Sequence, residues 1–208
     1  MKFQKYYGIP KDAKYGDEFM GRFPILFQDN KKSMQETCMC WGIDCPIGWY
    51  HILEQLCTVL EFHNQQFSKE YGIAVVADQV KEKFGTLRFY FSIAFVDKET
   101  GLKVGPDDEN DETTSETDAL YVARDYLDML ADEAIGEAEK MTEDTCADCG
   151  VPLTDDNRVE TEGWITFLCD ECNAKRETER EEFLKKAKEQ HPTKENVNTN
   201  TTAQNEVK

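Results

Sequence analysis

The chain has 208 residues, and its 42 acidic against 24 basic side chains give a formal net charge of −18, which argues against a protein that wraps duplex nucleic acid. Hydrophobic residues make up 39% of it and aromatics 11%, enough to build the core of one ordinary domain or two small ones, so wholesale disorder is excluded. No stretch approaches the roughly 20 apolar residues of a bilayer span, and the start MKFQKYYGIP lacks the apolar run of a secretory signal, so a soluble cytoplasmic protein without a membrane partner is expected.

Charge is spread unevenly along the chain. Residues 1–96 carry 11 basic and 11 acidic groups, residues 97–145 carry 4 and 17, and residues 146–208 carry 9 and 14. The segment Phe23–Phe27 (FPILF) reads as an extra strand. From Trp49, the residues Ile52, Leu53, Leu56, Leu60 and Phe67 recur at helical spacing after Pro46 and Gly48, which predicts an amphipathic helix over residues 49–69 that ends at Gly72. Next, IAVVADQV and LRFYFSIAFV flank KEKFGT, and Leu87, Phe89, Phe91, Ile93 and Phe95 alternate with Arg88, Tyr90, Ser92 and Ala94. That pattern predicts a hairpin turning at Gly85 with one strongly apolar face.

Residues 97–118 hold nine acidic groups without apolar periodicity and read as a mobile loop. A second helix follows, with Leu120, Ala123, Leu127, Leu130, Ala134, Ala138 and Met141 on one side, and an outward face expected to be nearly all carboxylate. From His191 the composition predicts a disordered tail.

The strongest motif is Cys146-Ala-Asp-Cys149 followed, after 19 residues, by Cys169-Asp-Glu-Cys172. Two residues between cysteines let one tight turn aim both sulfurs at a single ion, and two such turns complete a tetrahedron of thiolates. In a reducing compartment this pattern points to Zn2+ rather than disulfides, and four sulfur ligands leave no open position for catalysis. Between the pairs, VPLTDDNRVE and TEGWITFL read as a short hairpin with its turn near Asp155–Asn157, packed by Trp164 and Phe167; NAKRETEREEFLKKAKEQ then reads as a helix of mixed charge. Knuckle, hairpin, knuckle and helix is the order of elements in treble-clef zinc modules, which this stretch resembles. Nuclease versions of such modules need histidine, and none lies between Gly150 and Lys175.

Two weaker constellations remain. Cys38, Cys40, Cys45 and Cys57, with His51 and His63 nearby, match no common ligand spacing, and packing is the expected role of these cysteines. His63 is expected at the edge of the core. Lys81, Lys83 and Arg88 are interleaved with aromatics in the hairpin, and with Tyr90 they are the residues left to contact a ligand if Phe89 and Phe91 face the core.

Together the strings WGIDCPIGWYHILEQLC, VKEKFGTLRFYF, EAEKMTEDTCADCG and GWITFLCDEC resemble a family of small uncharacterised proteins of tailed bacteriophages and prophages, over roughly residues 38–175. The resemblance implies a phage-encoded intracellular protein with a zinc-knuckle end, acting in the bacterial cytoplasm, and it implies no reaction and no catalytic residues. The expected fold is α+β: two helices on a small antiparallel sheet over residues 1–144, then a treble-clef-like zinc module with a C-terminal helix over 145–190, and a tail over 191–208. The expected function is a non-enzymatic accessory protein that binds a host or phage protein, with Zn2+ on Cys146, Cys149, Cys169 and Cys172. The alternatives are a nucleic-acid-associated factor, disfavoured by charge, and an acidic decoy that mimics nucleic acid through the carboxylates of residues 107–144.

Overall fold

The computed structural model describes residues 9–104 and 118–190; the tail expected from His191 and the acidic residues 107–117 lie outside the described residues. The described residues fall into two compact units, divided between Cys169 and Asp170. The elements of the first unit are α1 (Asp17–Met20), β1 (Ile43–Asp44), α2 (Tyr50–Tyr71), β2 (Ile73–Lys83), β3 (Thr86–Phe95), α3 (Asp118–Glu143), β4 (Arg158–Glu160) and β5 (Phe167–Cys169). The described part of the second is one helix, α4 (Asp170–Gln190), on which no residue is buried. The fold is mixed α+β.

Helix α2 forms where the apolar stripe predicts it, and Trp49, Ile52, Leu53, Leu56 and Leu60 are completely buried. Each such side chain stabilises the fold by about 1.5–3 kcal/mol. Gly72 ends the helix in the left-handed conformation (φ +71°), its N–H donating to the Ser68 carbonyl. Strands β2 and β3 pair antiparallel, with Lys83 opposite Thr86 across the two-residue turn Phe84-Gly85. Both turn residues have positive φ (+55° and +78°), as the favoured hairpin turn demands. The sheet is not purely antiparallel: the two residues of β1 add to the other side of β2 in parallel, Ile43 opposite Val80. A strand of two residues has no alternation to be read from sequence.

The expected strand at Phe23–Phe27 is instead a series of turns. Pro24 has no N–H to give a ladder, and the N–H groups of Ile25 and Leu26 donate to the Glu61 carboxylate on α2 at 3.1 and 2.9 Å. One turn along α2, the Asn64 side-chain amide donates to the Val75 carbonyl at 2.8 Å and accepts from the Val75 N–H at 2.7 Å, while the Leu26 carbonyl accepts from the Ala77 N–H. The edge of β2 that β3 leaves open is thus satisfied by a side chain, a turn and a two-residue strand.

Residues 97–104, expected to belong to the mobile loop, fold back on the sheet. The Asp97 carboxylate accepts from the Thr100 N–H and hydroxyl, Lys103 bridges to Val96, and Lys103 Nζ lies 2.6 Å from Asp29. Composition hid this turn because its closure depends on local carboxylate acceptance and on Gly101 (φ +71°) rather than on apolar periodicity.

Helix α3 packs on α2 and β3 through Ala123, Leu127, Ala131, Ala134, Ile135 and Ala138. Its outward face departs from expectation, since Val122, Tyr126 and Met129 are exposed among the carboxylates. The β4–β5 hairpin exists, but its turn is displaced: Arg158–Glu160 pair with Phe167–Cys169, so residues 161–166 form the connection. Thr154–Asn157 make a separate turn, closed by the Asn157 side-chain oxygen accepting from the Thr154 N–H. Trp164, expected to pack this hairpin, is 72% exposed, with its indole N–H donating to Glu82 at 2.8 Å. Phe167 does pack, under Gly85 and with the Arg158 guanidinium 3.9 Å from its ring centre.

Candidate metal centre

The sulfurs of Cys146, Cys149, Cys169 and Cys172 all lie within 4.8 Å of one another, and no other group of three or more His, Cys, Asp or Glu side chains among the described residues comes close enough to share an ion. Cys149 and Cys169 sulfurs are 3.7 Å apart, too far for a disulfide. Sulfurs at the corners of a tetrahedron around zinc, each about 2.3 Å from the ion, stand about 3.8 Å apart. The residues present therefore fit a divalent cation bound by thiolates.

Local hydrogen bonds build the site. As α3 ends, Thr145 bridges to Pro152, the Cys146 N–H donates to the Val151 carbonyl, and the Gly150 N–H returns to the Cys146 carbonyl, folding Cys146–Gly150 into a tight knuckle. Gly150 takes φ +73°, which the reversal requires. Strand β5 delivers Cys169, whose N–H donates to the Cys146 sulfur at 3.3 Å, and the Ala147 N–H donates to the Phe167 carbonyl. Cys172 follows in the first turn of α4, where the positive end of the helix dipole favours a negative sulfur. Burial pushes the Cys146 thiol up, but the N–H groups of Cys149, Cys169 and Asp148 outweigh that and hold it below its ordinary value.

Sequence reasoning missed the contact that seats the knuckle. The Gly48 N–H donates to the Ala147 carbonyl at 2.9 Å, and the Trp49 indole N–H donates to the Thr145 carbonyl at 3.2 Å. A Cβ on Gly48 would overlap the Cys146 carbonyl oxygen and stand 2.5 Å from that of Ala147, so only glycine lets the two backbones meet. The available signal was the Gly-Trp pair before an apolar helix, which reads equally well as a helix start.

The first cysteine group divides. Cys57 is fully buried in the core as expected, but Cys38 is exposed, and Cys40 and Cys45 are half-buried. Burial pushes the thiols of Cys45 and Cys57 well above their ordinary range, which disfavours a thiolate nucleophile at either. His63 is half-buried, and His51 is buried beside a cavity of about 280 Å³ that Glu137, Lys140, Asp144 and Pro152 also line.

Lys81, Lys83, Arg88 and Tyr90 share one face of the hairpin, since Lys81 stands opposite Arg88 and Gln79 opposite Tyr90. Tyr90 is exposed with Lys81 Nζ 5.6 Å from its ring centre, whereas Arg88 turns toward Glu139 on α3 at 3.8 Å. Leu87 and Phe89 face the core, as the alternation predicts. No family model, no curated protein and no solved structure matches the chain.

Proposed function

We propose that Cys146, Cys149, Cys169 and Cys172 hold one Zn2+ as a structural staple in a treble-clef-like module, and that the chain is a non-enzymatic accessory protein that binds another protein. The convergence of the four sulfurs within 4.8 Å carries the zinc reading. Four thiolates fill a tetrahedron, so the ion would serve folding rather than substrate activation. The likeness to tailed-phage proteins supports a role in the bacterial cytoplasm beside a host or phage partner.

Elemental analysis of the reduced full-length chain is expected to find one zinc per molecule, and a metal-free but folded preparation would overturn the staple. Tagged chain exposed to bacterial lysate is expected to retain a protein that a mock resin does not; nothing retained would remove the binding reading. A nucleic-acid reading has one observation in its favour, the common face of Lys81, Lys83, Arg88 and Tyr90. It requires retardation of single-stranded DNA that weakens steeply with salt.

A further inference from the structure

We infer that the outward face of α3 is a docking surface for a positively charged amphipathic helix of a partner protein. This deepens the protein-binding reading and rests on it. Val122, Tyr126 and Met129 stand at positions i, i+4 and i+7; Val122 and Met129 lie opposite the core residues Leu127, Ala131 and Ala138, and Tyr126 at the edge of the line nearer α2. They are 67%, 51% and 52% exposed, where a helix packed on one side should carry its most polar residues. Asp118 lies one turn before Val122 and Glu133 one turn after Met129, so the apolar line is closed by carboxylate at both ends. Asp125 and Asp132 run along one side of it, and the helix carries eight acidic against two basic side chains.

Apolar anchors at that spacing are what one helix offers another, and the carboxylate border selects for lysine and arginine around the partner's apolar stripe. Tyr126 is already seated, its ring centre 6.2 Å from that of Phe67 on α2, so little side-chain freedom remains to be lost on docking. A second copy of the chain is a poor occupant, because apposing two such faces sets carboxylate against carboxylate. The apolar centre also separates this surface from a nucleic-acid mimic, which needs charge alone.

The probe is a dye-labelled 18-residue synthetic peptide with leucines at i, i+3, i+4 and i+7 bordered by lysines, read by fluorescence anisotropy against the zinc-loaded full chain. A peptide of the same composition with the leucine stripe scrambled serves as control. The striped peptide is expected to bind, and the scrambled one at least about tenfold more weakly. Val122→Lys with Met129→Lys is expected to weaken binding by at least about tenfold while leaving the melting temperature unchanged, since both side chains are exposed. Asp125→Asn with Asp132→Asn is expected to weaken it less and to flatten its salt dependence. Equal binding of both peptides, binding indifferent to the lysine variants, no binding, or a dimer of the wild-type chain that the lysine variants dissociate would each overturn the assignment. If the peptide fails while wild type and lysine variants retain the same lysate protein, this surface is wrong and the binding reading stands; if nothing is retained, both fall.

Discussion

Between Trp49 and Leu87 the chain completely buries Trp49, Ile52, Leu53, Leu56, Leu60 and Leu87, whereas between Thr145 and Cys169 the only large side chain buried to that degree is Leu168. The two stretches also differ in regular structure: a 22-residue helix and strands of 11 and 10 residues in one, two strands of three residues in the other. Apolar area suffices for the first. For the second, ordering costs about 1–2 kcal/mol per residue in backbone entropy alone, and burial of Leu153 and Leu168 offsets only a small part of it. The contrast teaches that the knuckle and β4–β5 borrow their order from two outside sources, the seat on Gly48 and Trp49 and, on the proposed reading, an ion.

The sharpest way to break that contrast is to remove the ion. Metal binding can contribute on the order of 10 kcal/mol to a segment of this kind. Chelation, or Cys169→Ser, is therefore expected to abolish amide-exchange protection across residues 146–169 while α2, β2 and β3 stay protected. Uniform loss across both stretches would show that they share one source of stability. The second source is tested by Gly48→Ala, whose new methyl meets backbone oxygens that cannot move aside. A cost of about 3 kcal/mol is expected in denaturant unfolding, toward the upper end for overpacking.

These two stretches were legible in the sequence to different depths. The stripe from Ile52 to Phe67 and the alternation from Leu87 to Phe95 declare α2 and β3 because periodicity is a local property. The two Cys-x-x-Cys pairs declare the four-cysteine cluster because the spacing within each pair is local as well. What stayed hidden depends on partners far along the chain. Gly48 meets Cys146 and Ala147 across about a hundred residues, and Glu61 and Asn64 look like polar interruptions of an apolar stripe until Ile25, Leu26 and Val75 are placed against them. The displaced hairpin turn has the same origin: Thr154–Asn157 is a sound turn by composition, but Arg158 pairs with Cys169, eleven residues on, so the connection falls at residues 161–166.

Glu61→Ala sharpens the comparison inside the apolar stretch by leaving two buried N–H groups without acceptors. The expected loss is about 2–4 kcal/mol by denaturant unfolding, and Glu61→Gln should recover part of it by offering one oxygen. A smaller effect is expected from pH. Burial lowers the pKa of both His51 and His63 from the ordinary 6.5. The unfolded chain then takes up protons first as pH falls, so stability declines below about 6.5 and down through the lowered folded values. Unfolding titrations at pH 7.5 and 5.5 with zinc content followed in the same samples should show a shallower decline in the double variant His51→Gln, His63→Gln. An unchanged slope would assign the acid sensitivity to the cysteine cluster instead.

The smallest expected effect has the opposite sign. Phe84 occupies the left-handed region at φ +55° with its side chain 63% exposed, in a turn where asparagine before glycine is the favoured pair. A non-glycine aromatic there is strained and gains little burial in return. Phe84→Asn is therefore expected to stabilise the chain by about 0.5–1 kcal/mol, measured by denaturant unfolding of the zinc-loaded protein. The gain should appear in the hairpin and leave the knuckle unchanged, because Gly85 rather than Phe84 makes room for the Phe167 ring. A loss of stability would mean that the Lys83 ammonium, 5.3 Å from the centre of the Phe84 ring, or some other contact of that ring outweighs the backbone strain.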